Sequence, residues 1–195
     1  MAWHIIIMDD NSYQIDFIQK NLTVPCVLVG TGGAGKTTLG TILARTLGLE
    51  FMDSDAVLES EEGQTIPQIF ATHGEAYFRD KERETIRTIL TQPKPNIIGT
   101  GGGAFINDDT RALVLDKAIS IFMKADLDTL LKRVGTGAGR PLFDNKDPSD
   151  VLRDMIKTRY PIYAQATLEV ETADEPAEET VNKIISALYN HLASE

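Results

Sequence analysis

The chain has 195 residues, of which 42% are hydrophobic and 25% are charged, and its formal net charge is -10. This length and composition allow one sizeable hydrophobic core, and nothing in them argues for a second independent domain. The acidic balance excludes general attraction to nucleic acid or to anionic membranes, because like charges repel. An anionic substrate would therefore have to be held by a local cluster of basic side chains.

Residues 1–24 precede the patterns described below, and we assign them no function. Residues 5–7 are strand-like and residues 13–18 suggest a helix. The short apolar run at the start is neither a secretory signal nor long enough to span a bilayer. We therefore expect an N-terminal extension over 1–24, one domain over 25–195 and a cytoplasmic location. The single cysteine, Cys26, excludes an intrachain disulfide and fits a small buried hydrophobe.

A phosphate-binding loop follows the first predicted strand. Residues 30–37 satisfy G-x-x-x-x-G-K-[ST], directly after an apolar run and directly before a segment of helical periodicity. Its glycines let successive backbone N–H groups point at an anion, Lys36 can reach the outer phosphates, and the Thr37 hydroxyl suits Mg²⁺. A glycine-rich turn with a chance lysine is the alternative, but it does not require this order of strand, loop and helix. The residues expected to contact a nucleotide here are Gly32, Gly33, Ala34, Gly35, Lys36, Thr37 and Thr38.

Apolar runs that are typical of strands alternate with longer segments of helical periodicity, which indicates an α/β fold with a parallel sheet. The predicted strands are 25–29, 49–52, 96–99, 119–123 and 168–170. The predicted helices are 38–47, 55–60, 66–72, 75–90, 108–116, 127–134, 149–164 and 176–192.

Polar residues and glycines follow two further strands. Asp53 and Asp55 come directly after the second strand, and Gly101, Gly102 and Gly103 follow the third. The carboxyl ends of parallel strands share one edge of the sheet, so both groups should lie beside the phosphate loop. One carboxylate could support Mg²⁺ and the other could face an acceptor hydroxyl, although a helix N-cap with an acidic first turn also explains Asp55. Three consecutive glycines suggest close backbone approach to a substrate.

A glycine-rich segment over about 134–147 has no strand of its own and is typical of a mobile lid over a nucleotide site. A plain flexible connector is the alternative. Arg133 and Arg140 stand at its edges and favour the lid. Taken singly, these arginines, like Arg79 and Arg159, would be ordinary surface residues.

Taken together, six motifs resemble those of the shikimate kinases, in the same order and at suitable spacing. They are the phosphate loop, Asp53-x-Asp55, Phe78-Arg79-x-x-Glu82, Gly101-Gly102-Gly103, Arg140-Pro141-Leu142 and Arg159-Tyr160-Pro161-Ile162-Tyr163. The resemblance covers the chain from about residue 24 to its end. It implies a three-layer α/β/α fold with a five-stranded parallel sheet of the P-loop kinase type. It also implies transfer of the ATP γ-phosphoryl group to the 3-hydroxyl of shikimate, with Mg²⁺ as cofactor, in aromatic amino-acid biosynthesis.

The resemblance further implies a role for each matching residue. On the acceptor side, Arg79 and Arg159 would clamp the shikimate carboxylate, and Asp55 would orient or deprotonate the attacking hydroxyl. The other residues implied to contact or shape the shikimate site are Phe70, Phe78, Gly101, Gly102 and Gly103, with Glu82 supporting Arg79. On the nucleotide side, Lys36 and Arg140 would neutralise charge on the migrating group and Arg133 would pack near adenine, while Thr37, supported by Asp53, would hold Mg²⁺.

Two other functions stay open. One is a different P-loop small-molecule kinase, such as a gluconate or nucleoside monophosphate kinase. The second is a catalytically silent nucleotide-binding regulatory module. The arginine pair with the triple glycine disfavours the first, and the presence of Lys36, Asp55 and Arg140 together argues against the second. We expect a small-molecule substrate, no nucleic-acid or membrane partner, and a monomer, with an oligomer not excluded.

Overall fold

The computed structural model describes residues 10–135, 143 and 147–194. Within these residues, five strands form one parallel sheet in the order β2-β3-β1-β4-β5. The strands are β1 (Cys26–Val29), β2 (Phe51–Asp53), β3 (Ile97–Gly99), β4 (Ile119–Ala125) and β5 (Leu168–Thr172). The predicted α/β fold with five parallel strands is confirmed.

Eight α-helices lie in the same described part of the chain, and a short 3₁₀ turn, Ala104–Ile106, precedes the fifth. The helices are α1 (Asp10–Asn21), α2 (Lys36–Leu47), α3 (Ser54–Glu62), α4 (Ile66–Leu90), α5 (Asp108–Lys117), α6 (Leu127–Val134), α7 (Pro148–Tyr163) and α8 (Ala177–Ala193). The predicted helices are present. Segments 66–72 and 75–90 both lie within α4, and the backbone between them leaves the helical conformation at Gly74, so the predicted break between two helical segments is confirmed.

Both faces of the sheet are covered by helices, which makes the fold three-layered. Along β1, Cys26 and Leu28 belong to a buried cluster with α1, α2 and α8, whereas Val27 and Val29 belong to a second cluster with α4, α5 and α7. Alternate residues of a strand point to opposite faces, so this division shows a strand buried on both sides. Buried parallel strands of this kind account for the continuous apolar runs in the sequence.

The order of the strands reverses at β1, which pairs with β3 on one side and β4 on the other. The connections that leave β1 and β3 therefore diverge at the carboxyl end of the sheet and open a crevice there. The register places Asp53 opposite Gly99, and Leu28 is paired with Gly99 from the other side. The phosphate loop, the two aspartates and the triple glycine consequently meet at one edge, as predicted.

Helix α1 belongs to the first buried cluster, although its residues lie in the predicted extension. Ile18 is fully buried in that cluster. The Gln19 side-chain amide donates to the Leu47 carbonyl at 3.1 Å, and the Phe17 ring meets the Tyr189 ring edge-on at 5.1 Å. The extension thus contributes to the core between α2 and α8. The strand-like residues 5–7 lie outside the described residues.

Glycine 74 gives α4 its kink. Its φ of 82° and ψ of 176° are non-helical and lie in a region that is essentially restricted to glycine. The first part of α4, residues 66–73, therefore leaves the axis of the second part, which carries Arg79. Among the helices of the described residues, none has the length and apolar character needed to cross a membrane.

Candidate active site

The phosphate loop joins β1 to α2 in a conformation that only glycine adopts easily. Gly33 and Gly35 have φ values of 88° and 93°, in the left-handed region. Helix α2 begins at Lys36, whose ammonium donates to the carbonyl oxygens of Gly30 and Thr31, each at 2.8 Å. Lys36 is nearly buried, so its charge is held over the loop where an anion would sit. The cradle predicted from the sequence is therefore present.

A cleft of about 620 Å³ opens over this loop. It is lined by Gly32, Gly33, Gly35, Lys36, Thr37, Thr38, Leu39, Asp53, Asp55, Thr100, Gly101, Gly102, Arg133, Glu175, Ala177 and Thr180. Eleven of these were predicted site residues; Leu39, Thr100, Glu175, Ala177 and Thr180 were not. The lining combines backbone N–H groups and cations with two carboxylates, which suits a polyphosphate and a divalent cation.

Thr37 and Asp53 face one another across this cleft. The Thr37 hydroxyl donates to Oδ2 of Asp53 at 3.0 Å, while Oδ1 of Asp53 caps α3 by accepting from the amides of Asp55 and Ala56. The helix N-cap that the sequence suggested at Asp55 is therefore at Asp53 instead, and Asp55 lies in the acidic first turn of α3. A hydroxyl and a carboxylate beside a phosphate loop fit Mg²⁺, which keeps several waters and takes few ligands from protein.

Asp55 is the most perturbed carboxylate of the cleft. Burial first, and then the negative charges of Asp53 and Glu82, raise its pKa from 3.8 to about 6. Within the described part of the chain, its Oδ1 is buried and has no hydrogen-bond partner. An oxygen left in this state is costly unless a ligand hydroxyl satisfies it. Asp55 is thus placed and tuned to accept a proton or a hydrogen bond near pH 6.

The triple glycine leaves room for groups that lie very close to its backbone, a reason that the sequence did not reveal. A Cβ on Gly101 would lie 2.7 Å from Oδ1 of Asp55, and one on Gly103 would lie 2.8 Å from Nη1 of Arg79. A Cβ on Gly102 would lie 3.3 Å from the amide nitrogen of Gly32. The absence of a side chain at each glycine therefore leaves room for a different neighbouring group of the site. Substrate contact, which the sequence suggested for all three, stays a prediction; Gly101 and Gly102 line this cleft, and Gly103 lines a second one.

Arg79 is held on α4 by two glutamates and a ring. Its Nη1 is 2.7 Å from Oε2 of Glu82, its Nη2 is 3.4 Å from Oε1 of Glu75, and its guanidinium lies 4.9 Å from the centre of the Phe78 ring. Glu82 is buried, and burial raises its pKa against the lowering effect of the Arg79 contact. The support that the resemblance implied for Arg79 from Glu82 is present in the geometry.

Arg79 and Arg159 line a second cleft, of about 360 Å³, on the other side of the triple glycine. Gly103 and Asn107 complete its polar wall. Two guanidinium groups in one small cavity would bind a carboxylate or phosphate strongly, since both can donate paired hydrogen bonds. The sequence places these arginines 80 residues apart by number, and the fold brings them to one cavity.

Phe70 and Phe78 pack together behind the arginine. Their ring centres are 4.7 Å apart, across the Gly74 kink. Phe78 is buried with Leu58 and Ile69, whereas Phe70 is 38% exposed. An exposed aromatic face beside a buried one can form the apolar wall of a pocket, as the resemblance implied.

Arg133 ties α6 to the phosphate loop. Its guanidinium donates to the Ala34 carbonyl at 3.3 Å and to the Thr172 hydroxyl at 3.0 Å, and it also donates to the Ala173 carbonyl. Glu175 stands nearby in the cleft wall and accepts from Thr180 at 2.7 Å. No motif marked Glu175; its place just beyond the carboxyl end of β5 was the available signal. Arg140 and most of the predicted lid, residues 136–142 and 144–146, lie outside the described residues.

The fold and the two clefts define a P-loop phosphotransferase with a small-molecule acceptor site beside the nucleotide site. The sequence model of the family described as shikimate kinase matches residues 32–189. A shikimate kinase of Caulobacter vibrioides is 47% identical over 162 residues, which are 83% of this chain and 80% of the relative. One from Rhodopseudomonas palustris is 42% identical over 170 residues, 87% of this chain and 83% of the relative.

Comparison with solved structures points to the same family. The shikimate kinase of Acinetobacter baumannii in complex with shikimate has a TM-score of 0.82 and 33% identity, over 89% of this chain and 98% of its own. The chain belongs to the shikimate kinase family.

Proposed function

We propose that this protein transfers the γ-phosphoryl group of ATP to the 3-hydroxyl of shikimate, giving shikimate 3-phosphate and ADP. The observation that carries the proposal is the position of Asp55. Its unsatisfied carboxylate oxygen lies at the phosphate cleft and against Gly101, and Gly103, two residues on, lines the cavity with Arg79 and Arg159. A donor and an acceptor bound in the two clefts would meet beside Asp55.

On the acceptor side, Arg79 and Arg159 bind the carboxylate of shikimate. Glu82 and Glu75 hold the Arg79 guanidinium in place, which reduces the entropy lost when the substrate binds. Phe70 and Phe78 provide the apolar wall against the ring, and backbone groups of the triple glycine contact its hydroxyls. This anchoring at the carboxylate leaves the 3-hydroxyl oriented toward Asp55.

In the transfer step, the 3-hydroxyl oxygen forms a bond to the γ-phosphorus while the bond to the bridging oxygen of ADP breaks. The hydroxyl proton passes to the carboxylate of Asp55, whose pKa near 6 suits it to exchange protons close to neutral pH. Phosphoryl transfer often has a loose transition state, so orientation of the hydroxyl by Asp55 contributes alongside proton transfer.

On the nucleotide side, the phosphate-loop amides and Lys36 stabilise the charge of the β- and γ-phosphates. Mg²⁺ bound at Thr37 and Asp53 would neutralise phosphate charge. Arg133 packs against adenine, and Arg140, in the lid, adds a positive charge over the migrating group. The roles given to Arg140 and the lid, and the expectation of a monomer, rest on the sequence alone.

The test is ADP production by purified protein with ATP and Mg²⁺, in the presence of shikimate, gluconate or nucleoside monophosphates. We expect turnover that depends on shikimate and is near background with the other acceptors. Turnover with gluconate or a nucleotide would leave the fold assignment intact and would reject shikimate as the acceptor. ATP binding without turnover on any acceptor would favour a regulatory module.

A further inference from the structure

Tyr163, the last residue of α7, places a polar hydroxyl in the core. The residue is fully buried, with its ring 5.3 Å from that of Phe122 and 6.5 Å from that of Phe105. Its hydroxyl donates a hydrogen bond to the carbonyl oxygen of Gly102. Burial raises the pKa of Tyr163 to about 12, so the phenol keeps its proton and remains a donor at physiological pH. A phenylalanine would pack in the same cluster but would lose this bond and the interaction of the hydroxyl with Arg159.

The bond reaches the middle of the triple glycine, which has no side chains to fix its position. Neighbouring turns use the other two carbonyls, because Gly101 accepts from the Ala104 amide at 3.2 Å and Gly103 accepts from the Ile106 amide at 3.1 Å. The Gly102 carbonyl instead accepts from Tyr163, a residue distant in sequence. This bond joins the loop to α7, the helix that also carries Arg159.

A small shift of this loop would change the geometry of both clefts. Gly101 lies against Asp55, Gly102 against the amide of Gly32, and Gly103 against the guanidinium of Arg79, all closer than a Cβ would ordinarily allow. Glycine backbones are the most flexible, so the loop needs an external anchor to keep these three approaches at once. Catalytic geometry tolerates little displacement.

We propose that Tyr163 is a positioning residue, whose hydroxyl fixes the Gly101–Gly103 loop and thereby sets the approach of Asp55 and Arg79 to the acceptor. The inference deepens the proposed function and rests on it for the identity of the acceptor. Tyr163 touches neither substrate and acts through the loop.

The test compares Tyr163→Phe with Tyr160→Phe. Both changes remove one phenol hydroxyl from α7, but that of Tyr160 donates to the carbonyl of Ala125 and interacts with Thr31, and it makes no bond to residues 101–103. We expect Tyr163→Phe to raise KM for shikimate roughly three- to tenfold, the range for losing one neutral hydrogen bond, and to change KM for ATP less than about twofold. Tyr160→Phe should leave KM for shikimate unchanged.

Amide hydrogen exchange supplies a readout that does not depend on turnover. Tyr163→Phe should speed exchange of amides 101–106 in the ligand-free protein, and Tyr160→Phe should not. An unchanged KM with unchanged exchange in Tyr163→Phe, or equal effects from Tyr160→Phe, would overturn the proposal. If the wild type shows no shikimate-dependent turnover, the proposed function fails, while the exchange comparison still decides the role of Tyr163.

Discussion

At the scale of single residues, the two main acceptor-side groups have opposite electrostatic environments. Asp55 is buried beside two other carboxylates, which raises its pKa to about 6, while Arg79 is neutralised by glutamates until a substrate arrives. The ionised form of Asp55 therefore destabilises the ligand-free protein, whereas the ion pairs of Arg79 hold its guanidinium in place for a substrate.

Replacing Asp55 by asparagine should abolish turnover and stabilise the ligand-free, metal-free protein. We expect kcat to fall roughly 100-fold or more, the contribution of a positioned acid or base. The raised pKa of Asp55 means that its protonated form is favoured in the folded state. Its contribution to stability is fully present below pH 3.8 and is lost as pH rises through about 6.

Urea unfolding at a series of pH values, with a chelator present, measures this effect. Above pH 6, Asp55→Asn should be more stable than the wild type, by on the order of 2 kcal/mol, and the difference should shrink toward pH 4. A variant that unfolds more easily than the wild type at pH 8, or that retains normal kcat, would contradict the assigned role.

Arg79→Ala should weaken shikimate binding and leave ATP binding largely intact. Loss of a charged, paired hydrogen-bond donor corresponds to a rise in KM for shikimate of roughly 10- to 100-fold. Arg83→Ala is the matched control, since Arg83 lies on the same helix but pairs with Asp80 and Asp109 outside the cleft. Initial rates with each substrate varied in turn distinguish the two. Equal losses for ATP and shikimate, or the same effect from Arg83→Ala, would remove Arg79 from the acceptor site.

The identities of Lys36, Thr37 and Asp53 were predictable from sequence because they stand at fixed offsets from a strand and a loop. Glu175 and Tyr163 were not, since each contributes through a contact made by tertiary folding. The purpose of the three glycines was only partly predictable, because the side chains that require them come from α3 and α4.

At the scale of elements, β1, β3 and β4 were predictable as apolar runs buried on both faces, whereas β5 alternates buried Val170 and Thr172 with exposed glutamates. The helices followed from their 3.6-residue periodicity, and helix α4 was predicted in two parts because Gly74 interrupts it. What local pattern could not show is how the two parts pack on either side of the kink. Tertiary packing of Ile69 and Phe78 with Leu58 holds both parts against α3.

Gly74→Ala tests the kink. Alanine disfavours φ 82° and ψ 176°, so we expect a loss of about 1–3 kcal/mol and a shift of residues 66–73 that raises KM for shikimate. Gly63→Ala is the control, because Gly63 has φ 63° in open space at the end of α3 and should cost about 1 kcal/mol without changing KM. Thermal unfolding and initial rates measure both quantities. Identical behaviour of the two variants would show that the kink has no part in the acceptor site.

Helix α1 should stabilise the fold without contributing to catalysis. Ile18 is fully buried against α2 and α8, so Ile18→Ala should cost about 2–4 kcal/mol. Val24→Ala, at a position 37% exposed, should cost less than about 0.5 kcal/mol. Neither should change kcat or KM of the folded protein. A large change in kcat from Ile18→Ala, measured well below its unfolding temperature, would give the extension a catalytic role instead.

At the scale of the whole molecule, an acidic protein concentrates its functional cations at one edge of the sheet. Lys36, Arg133, Arg79 and Arg159 line the two clefts, while the net charge is -10. Charges within a cleft act over short distances, so anionic substrates can be attracted locally although the outer surface repels them. The fold makes this possible because its parallel strands bring these segments together at their carboxyl ends.

The most direct measurement is the structure of the product formed from ATP and shikimate, determined by phosphorus and proton NMR together with ADP quantification. We predict one phosphate monoester, on the 3-hydroxyl, in amounts equal to the ADP released. Phosphate on another hydroxyl would contradict the orientation of the substrate by Arg79, Arg159 and Asp55. ADP release with free phosphate and unmodified shikimate would contradict the transfer itself.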